Sequence, residues 1–176
     1  MVNNAGVQVE KTLTQSTDED WERVMNTNAK AVFMVSRALI PLMTTSKSCK
    51  SIINIGSISG TIADRSMALY NASKAFVHGL TRSIAVDYGP TIRCNAICPG
   101  WIDTGMADAG FELSSNPHAA KQDALARHAT RRLGTAEDIA AMACWLASDE
   151  ASFATGQFFT IDGGLTAASP INTSLF

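Results

Sequence analysis

The sequence has little that would tie it to a metal, a membrane or a nucleic acid. Its four cysteines, Cys49, Cys94, Cys98 and Cys144, form no CxxC pair and no combination with histidine at zinc-ligand spacing. A metal site therefore lacks support, and reduced, mostly buried thiols are expected. There is no uncharged apolar run of about 18 residues, no signal-peptide pattern and no C-terminal address motif, so no membrane partner is expected and the cytoplasm is the expected compartment. A formal charge of −2 gives no global attraction to nucleic acid or to an anionic surface. The run Arg127, His128, Arg131, Arg132 reads as a solvated helix face.

Two catalytic signatures are also lacking. Ser57 or Ser59 with His78 and an aspartate would suggest a hydrolase triad, but neither serine sits in a G-x-S-x-G elbow. The glycines of the stretch GSISG, Gly56 and Gly60, have the wrong spacing for a phosphate-binding G-x-G-x-x-G loop.

What is present has the composition of one soluble domain over residues 1–176, with 46% hydrophobic and 17% charged residues. Ser16 followed by Glu19 has the form of a capping box and predicts a long helix over 17–43. Its apolar stripe runs Trp21, Val24, Val32, Val35, Leu39, and Asn28 fills the one gap. A buried amide needs hydrogen bonds, from neighbouring backbone or from ordered water.

KSIINIGSISG predicts a short interior strand opening into a loop, and the helical spacing of 67–88 ends at Gly89-Pro90. TIRCNAICPG is a second strand. Residues 101–118 mix Gly, Ser and Pro with Trp101, Met106 and Phe111, and read as a long mobile loop with an apolar lining. A helix near 119–130, another capped by Thr135, and the strand GQFFTIDGG complete the chain. Strands alternating with helices imply an α/β fold, a parallel sheet covered on both faces.

Tyr70 and Lys74 lie one helical turn apart in YNASK. A free tyrosine is a poor base at neutral pH, and an adjacent cation is expected to lower its pKa, making it able to exchange a proton with an alcohol or a carbonyl oxygen.

At these residues the sequence resembles the short-chain dehydrogenase/reductase family, in particular a 3-oxoacyl-reductase-like member. The match is carried in order by NNAG at 3–6, Asn28 in NTNAKAVF, Ser57 in IINIGS 13 residues before Tyr70, YNASK, PGWIDT and TGQFFTIDGG. The resemblance implies a partial doubly wound, Rossmann-like sheet of about four strands, and NAD or NADP as cofactor. It implies an oxidoreductase interconverting a small secondary alcohol and a ketone.

By the same resemblance Tyr70 is the general acid/base, Lys74 lowers its pKa and binds the nicotinamide ribose, and Ser57 holds the substrate oxygen. Asn28 holds a relay water, and Asn4, Ile102 and Thr104 touch the cofactor. The helices at 17–43 and 67–88 are similar to those that make the family's dimer, which implies a homo-oligomer.

The family's glycine-rich first strand-helix units precede NNAG, which here begins at residue 3. Roughly 80 residues are expected to be missing, among them those that separate NAD from NADP. The retained sheet is then expected to expose its first strand as an edge, which favours low solubility or pairing with another chain. The alternative function is a truncated, inactive interaction subunit that pairs with full-length relatives.

Overall fold

A computed structural model of the chain describes residues 1–45 and 50–167. Cys49 therefore lies outside the described residues; of the others, Cys94 and Cys98 are buried and Cys144 is exposed.

Four parallel strands, β1 (Val2–Asn3), β2 (Ser51–Ile55), β3 (Arg93–Pro99) and β4 (Phe158–Ile161), pair in the order β1-β2-β3-β4. The helices are α1 (Asp18–Met25), α2 (Ala31–Thr44), α3 (Ala68–Tyr88), α4 (Gly105–Glu112), α5 (Pro117–Arg127) and α6 (Ala136–Ala147). Alternation along the strands divides the core. Ile52 and Cys94 pack with Ile40 of α2 and Ile84 of α3, while Ile53 and Ile97 face Leu146 of α6 and Ala151. Near-continuous burial along β2 and β3 follows from helices covering both faces. No described helix is long and apolar enough to cross a membrane.

The first long helix departs from its sequence reading in two ways. The capping box is Thr17 with Asp20, each side chain meeting the other's backbone N–H at 3.2 and 2.9 Å. Ser16 instead donates to the Thr12 carbonyl at 3.0 Å and closes the preceding turn, so the helix starts one residue later than Ser16 as cap would place it.

In addition, residues Asn26–Lys30 form a π-helical turn between α1 and α2. A π turn holds one more residue than an α turn and shifts the downstream face by one position. The buried positions after it are Val32, Ser36 and Ile40, whereas Val35 and Leu39 are 42% and 37% exposed. Trp21, on the expected stripe before the turn, is 50% exposed.

The expected loop over 101–118 contains α4, and α5 begins within it at Pro117, capped by Asn116 Oδ1 accepting from the Ala119 N–H at 3.0 Å. Burial explains the difference. Ala107 and Phe111 of α4 pack with Ala124 of α5 and Leu133, and Trp101 stacks on Phe111 with ring centroids 4.9 Å apart. That apolar face outweighs the turn-prone composition.

Candidate active site

The C-terminal ends of β1, β2 and β3, with the first two turns of α3, surround a cavity of about 560 Å³. Parallel α/β sheets place ligands at this end because the strands stop there and the loops diverge. Asn4, Ser57, Tyr70, Lys74, Ile102 and Thr104 all line the cavity. These are six of the seven positions the sequence singled out; Asn28 is the exception.

Tyr70 and Lys74 project from the start of α3, with Lys74 Nζ 5.6 Å from the Tyr70 ring centroid. Lys74 is only 4% exposed, and its ammonium donates to the Ile55 carbonyl at 2.9 Å. An ammonium has three donors, so two remain for acceptors from the cavity. Burial pushes its pKa down to about 8.

Tyr70 behaves differently from the sequence expectation. Burial raises its pKa, the Asp64 carboxylate raises it further, and a hydrogen bond with Ser57 works the other way. Desolvation of the phenolate outweighs the lysine, which stands beside the ring with one donor on a backbone carbonyl.

Ser57 caps a 3-10 turn, Ile58–Gly60, and its Oγ accepts from the Ser59 N–H at 3.1 Å. The Ser59 hydroxyl donates to Asp64 Oδ2 at 2.8 Å. Asp64 lines the cavity and also raises the pKa of Glu10, after burial of that carboxyl. Sequence reasoning missed Asp64, since nothing periodic or motif-like marks the segment between Gly60 and Met67. His78 Nε2 faces Cys98 Sγ at 3.1 Å, not a serine, consistent with the absence of a hydrolase elbow.

Asn28 lies behind the cavity, 1% exposed. Its Oδ1 accepts from the Val7 N–H at 2.8 Å, and its Nδ2 donates to the Val7 carbonyl at 2.8 Å and to Ser73 Oγ at 3.0 Å. A side chain added at Gly6 would place its Cβ 3.5 Å from Lys74 Nζ and 3.6 Å from Asn28 Oδ1, so the two residues flank that glycine. At the opposite rim Thr104 occupies the N-cap of α4 without capping it, and its hydroxyl donates to the Ile102 carbonyl at 3.2 Å.

The Asp64 carboxylate supplies a pH test. In Asp64→Asn the negative charge facing Tyr70 is gone while an acceptor for Ser59 remains, so the Tyr70 pKa falls. On the acid/base role that the resemblance implies for Tyr70, oxidation needs the phenolate and rises with pH through that pKa, and reduction needs the phenol and falls through it. Both limbs are therefore expected to move to lower pH in the variant, measured as kcat against pH. Movement to higher pH would remove Asp64 from the electrostatics of Tyr70.

Comparison with known proteins agrees with this arrangement. A family model described as Enoyl-(Acyl carrier protein) reductase matches residues 1–166. The 3-oxoacyl-[acyl-carrier-protein] reductase FabG of Thermotoga maritima is 39% identical over 166 residues, covering 94% of this chain and 65% of that protein. Dehydrogenase/reductase SDR family member 6 of Xenopus laevis is 38% identical over 166 residues, covering 93% and 67%. The chain thus spans about two thirds of the length of these relatives.

Among solved structures, ligand-free aldohexose dehydrogenase of Thermoplasma acidophilum superposes with a TM-score of 0.92 at 36% identity, over 98% of this chain and 69% of that one. A gluconate 5-dehydrogenase from Burkholderia cenocepacia, in complex with NADP and tartrate, gives 0.87 at 31% identity, over 96% and 64%. On the family match over residues 1–166, the identity to these relatives and the shared parallel-sheet fold, the chain belongs to the short-chain dehydrogenase/reductase family.

Proposed function

We propose that this chain carries the catalytic part of an NAD(P)-dependent oxidoreductase that interconverts a secondary alcohol and a ketone. The observation that carries the reading is the convergence of Ser57, Tyr70 and Lys74 on one cavity. Ser57 beside the Tyr70 phenol lowers its pKa against the larger effect of burial, and the buried Lys74, with spare donors on its ammonium, stands one turn away. In oxidation Tyr70 takes the alcohol proton; in reduction it protonates the oxygen. Ser57 Oγ donates to that oxygen as negative charge develops on it.

The residues present fit a nicotinamide nucleotide. Lys74 offers donors for ribose hydroxyls, Asn4 an amide, and Ile102 with Thr104 an apolar wall ending in a hydroxyl. Bound there, the cofactor supplies or accepts the hydride. On the substrate side Met106 and Trp101 line the cavity, whereas Phe111 is buried between α4 and α5 behind Trp101. Asp64 adds polarity there, which favours a hydroxylated small molecule over an anion.

A second reading, an inactive subunit that binds relatives, draws on a different observation. Phe33, Met34, Val35 and Leu42 of α2 and Phe76 and Val86 of α3 are 41–81% exposed, an apolar surface suited to another copy or a relative. Under either reading a homo-oligomer through these helices is the assembly we propose.

The readings separate by experiment. Titration of the purified chain with NADH and NADPH, followed by fluorescence, is expected to show saturable binding, with turnover on a panel of ketones. No binding at millimolar cofactor, together with co-sedimentation with a full-length relative, would replace the first reading with the second.

A further inference from the structure

His78 and Cys98 have no part in the chemistry above, yet they are packed against the turn that carries Ser57. Neither lines the cavity, and they are only 4% and 2% exposed. His78 lies on α3 one turn beyond Lys74, and Cys98 lies on β3 just before Pro99. The imidazole is wedged between the two glycines that bound the Ser57 turn. A Cβ at Gly56 would stand 2.6 Å from His78 Nε2, and one at Gly60 would stand 2.5 Å from its Cε1. Phe158 stacks on the ring from the other side at 4.4 Å. This accounts for both glycines of GSISG by space alone, without a phosphate to cradle.

The polar atoms connect as well. The Ser57 backbone N–H stands close enough to the Cys98 sulfur to favour its thiolate, against the larger effect of burial. Cys98 Sγ lies 3.1 Å from His78 Nε2. The Gly60 backbone beside the ring favours the protonated imidazole, as a carbonyl acceptor does, and the Gly60 N–H donates to the Ser57 carbonyl at 3.1 Å. A carbonyl only accepts, so the ring nitrogen serving Gly60 carries the proton. With Nε2 turned to the sulfur, that nitrogen is Nδ1, and Nε2 accepts from the thiol.

We propose that Ser57, Cys98, His78 and Gly60 form a closed hydrogen-bonded ring, in which His78 and Cys98 are positioning residues that fix the turn presenting the Ser57 hydroxyl. The ring requires a neutral imidazole and a protonated thiol. Burial, then the Arg82 and Lys74 charges, hold His78 below its usual pKa. Burial pushes Cys98 up to about 11. The assignment of Ser57 to the substrate oxygen rests on the function proposed above; the ring itself does not.

Two measurements independent of turnover test it. Nitrogen-15 NMR of the unaltered chain near neutral pH is expected to show His78 neutral with its proton on Nδ1; a proton on Nε2, or a charged ring, overturns the proposal. Hydrogen exchange in His78→Phe, which keeps the ring volume, and in Cys98→Ala is expected to show the Ser57 and Gly60 amides losing about tenfold in protection, the scale of one hydrogen bond, while β3 amides are unchanged. Unchanged protection at Ser57 and Gly60 overturns it. Cys98→Ala and the NMR measurement decide the matter if His78→Phe fails to fold.

In an active assembly either variant should lower kcat several-fold with cofactor KM unchanged, as for a displaced donor to the reacting oxygen. A chain that shows the ring but no turnover would overturn the oxidoreductase reading and leave this one standing.

Discussion

Tyr70→Phe is expected to lower turnover by about a thousandfold, within the range for loss of a positioned acid/base, while cofactor affinity stays within about twofold. The ring volume is kept and only the hydroxyl is removed, so the change falls on proton transfer and not on shape. No neighbour can take over the role. Lys74 Nζ stands 5.6 Å from the Tyr70 ring centroid with one donor on the Ile55 carbonyl, placed for the cofactor side, and the Ser57 hydroxyl has far too high a pKa to serve as a base at neutral pH. Substrate KM should change little, because Ser57 still meets the oxygen. Steady-state kinetics in both directions, with cofactor binding followed separately by fluorescence, read the split. Retention of most of the activity would strip Tyr70 of the acid/base assignment.

The spacing of Tyr70 and Lys74 was legible because a helix fixes it, whatever surrounds the pair. The same holds for α3, α6, β2, β3 and β4, whose period and boundaries are local: β-branched runs, the Gly89-Pro90 stop and the Thr135 cap. The parallel order of the sheet follows from the alternation of these elements. Illegible features depend on contacts remote in the chain. The π turn at 26–30 is held by Asn28 reaching Val7 and Ser73, 21 and 45 residues away in sequence, and it moved the buried face of α2 by one position. The direction of the Tyr70 pKa was misread for the same reason. Lys74 could be counted from the sequence, but the desolvation of the phenol and the approach of Asp64 could not. Helix α4 depends on burying Phe111 against Ala124 and Leu133, which no local pattern announces.

Removal of Asn28 is expected to cost the most stability among single changes near the cavity. Asn28→Ala takes away three hydrogen bonds and leaves the Val7 N–H and carbonyl without their partners; Ser73 keeps its own bond to the Tyr70 carbonyl at 2.8 Å. Val7 is only partly buried, so water can restore some of the loss. With one to three kcal/mol for each stranded buried group, a destabilisation of about 3 kcal/mol is expected in urea unfolding.

The segment from Asn4 to Gly6 leads into Val7 and lines the cavity, so cofactor binding should weaken along with stability. That coupling separates two roles for the amide. A water-holding relay would slow turnover and change the solvent isotope effect while leaving cofactor affinity intact; a structural tether weakens affinity and stability together. The three short bonds to Val7 and Ser73 favour the tether. A stability loss below about 0.5 kcal/mol, the range of ordinary surface substitutions, would show that those bonds do not hold the cavity floor in place.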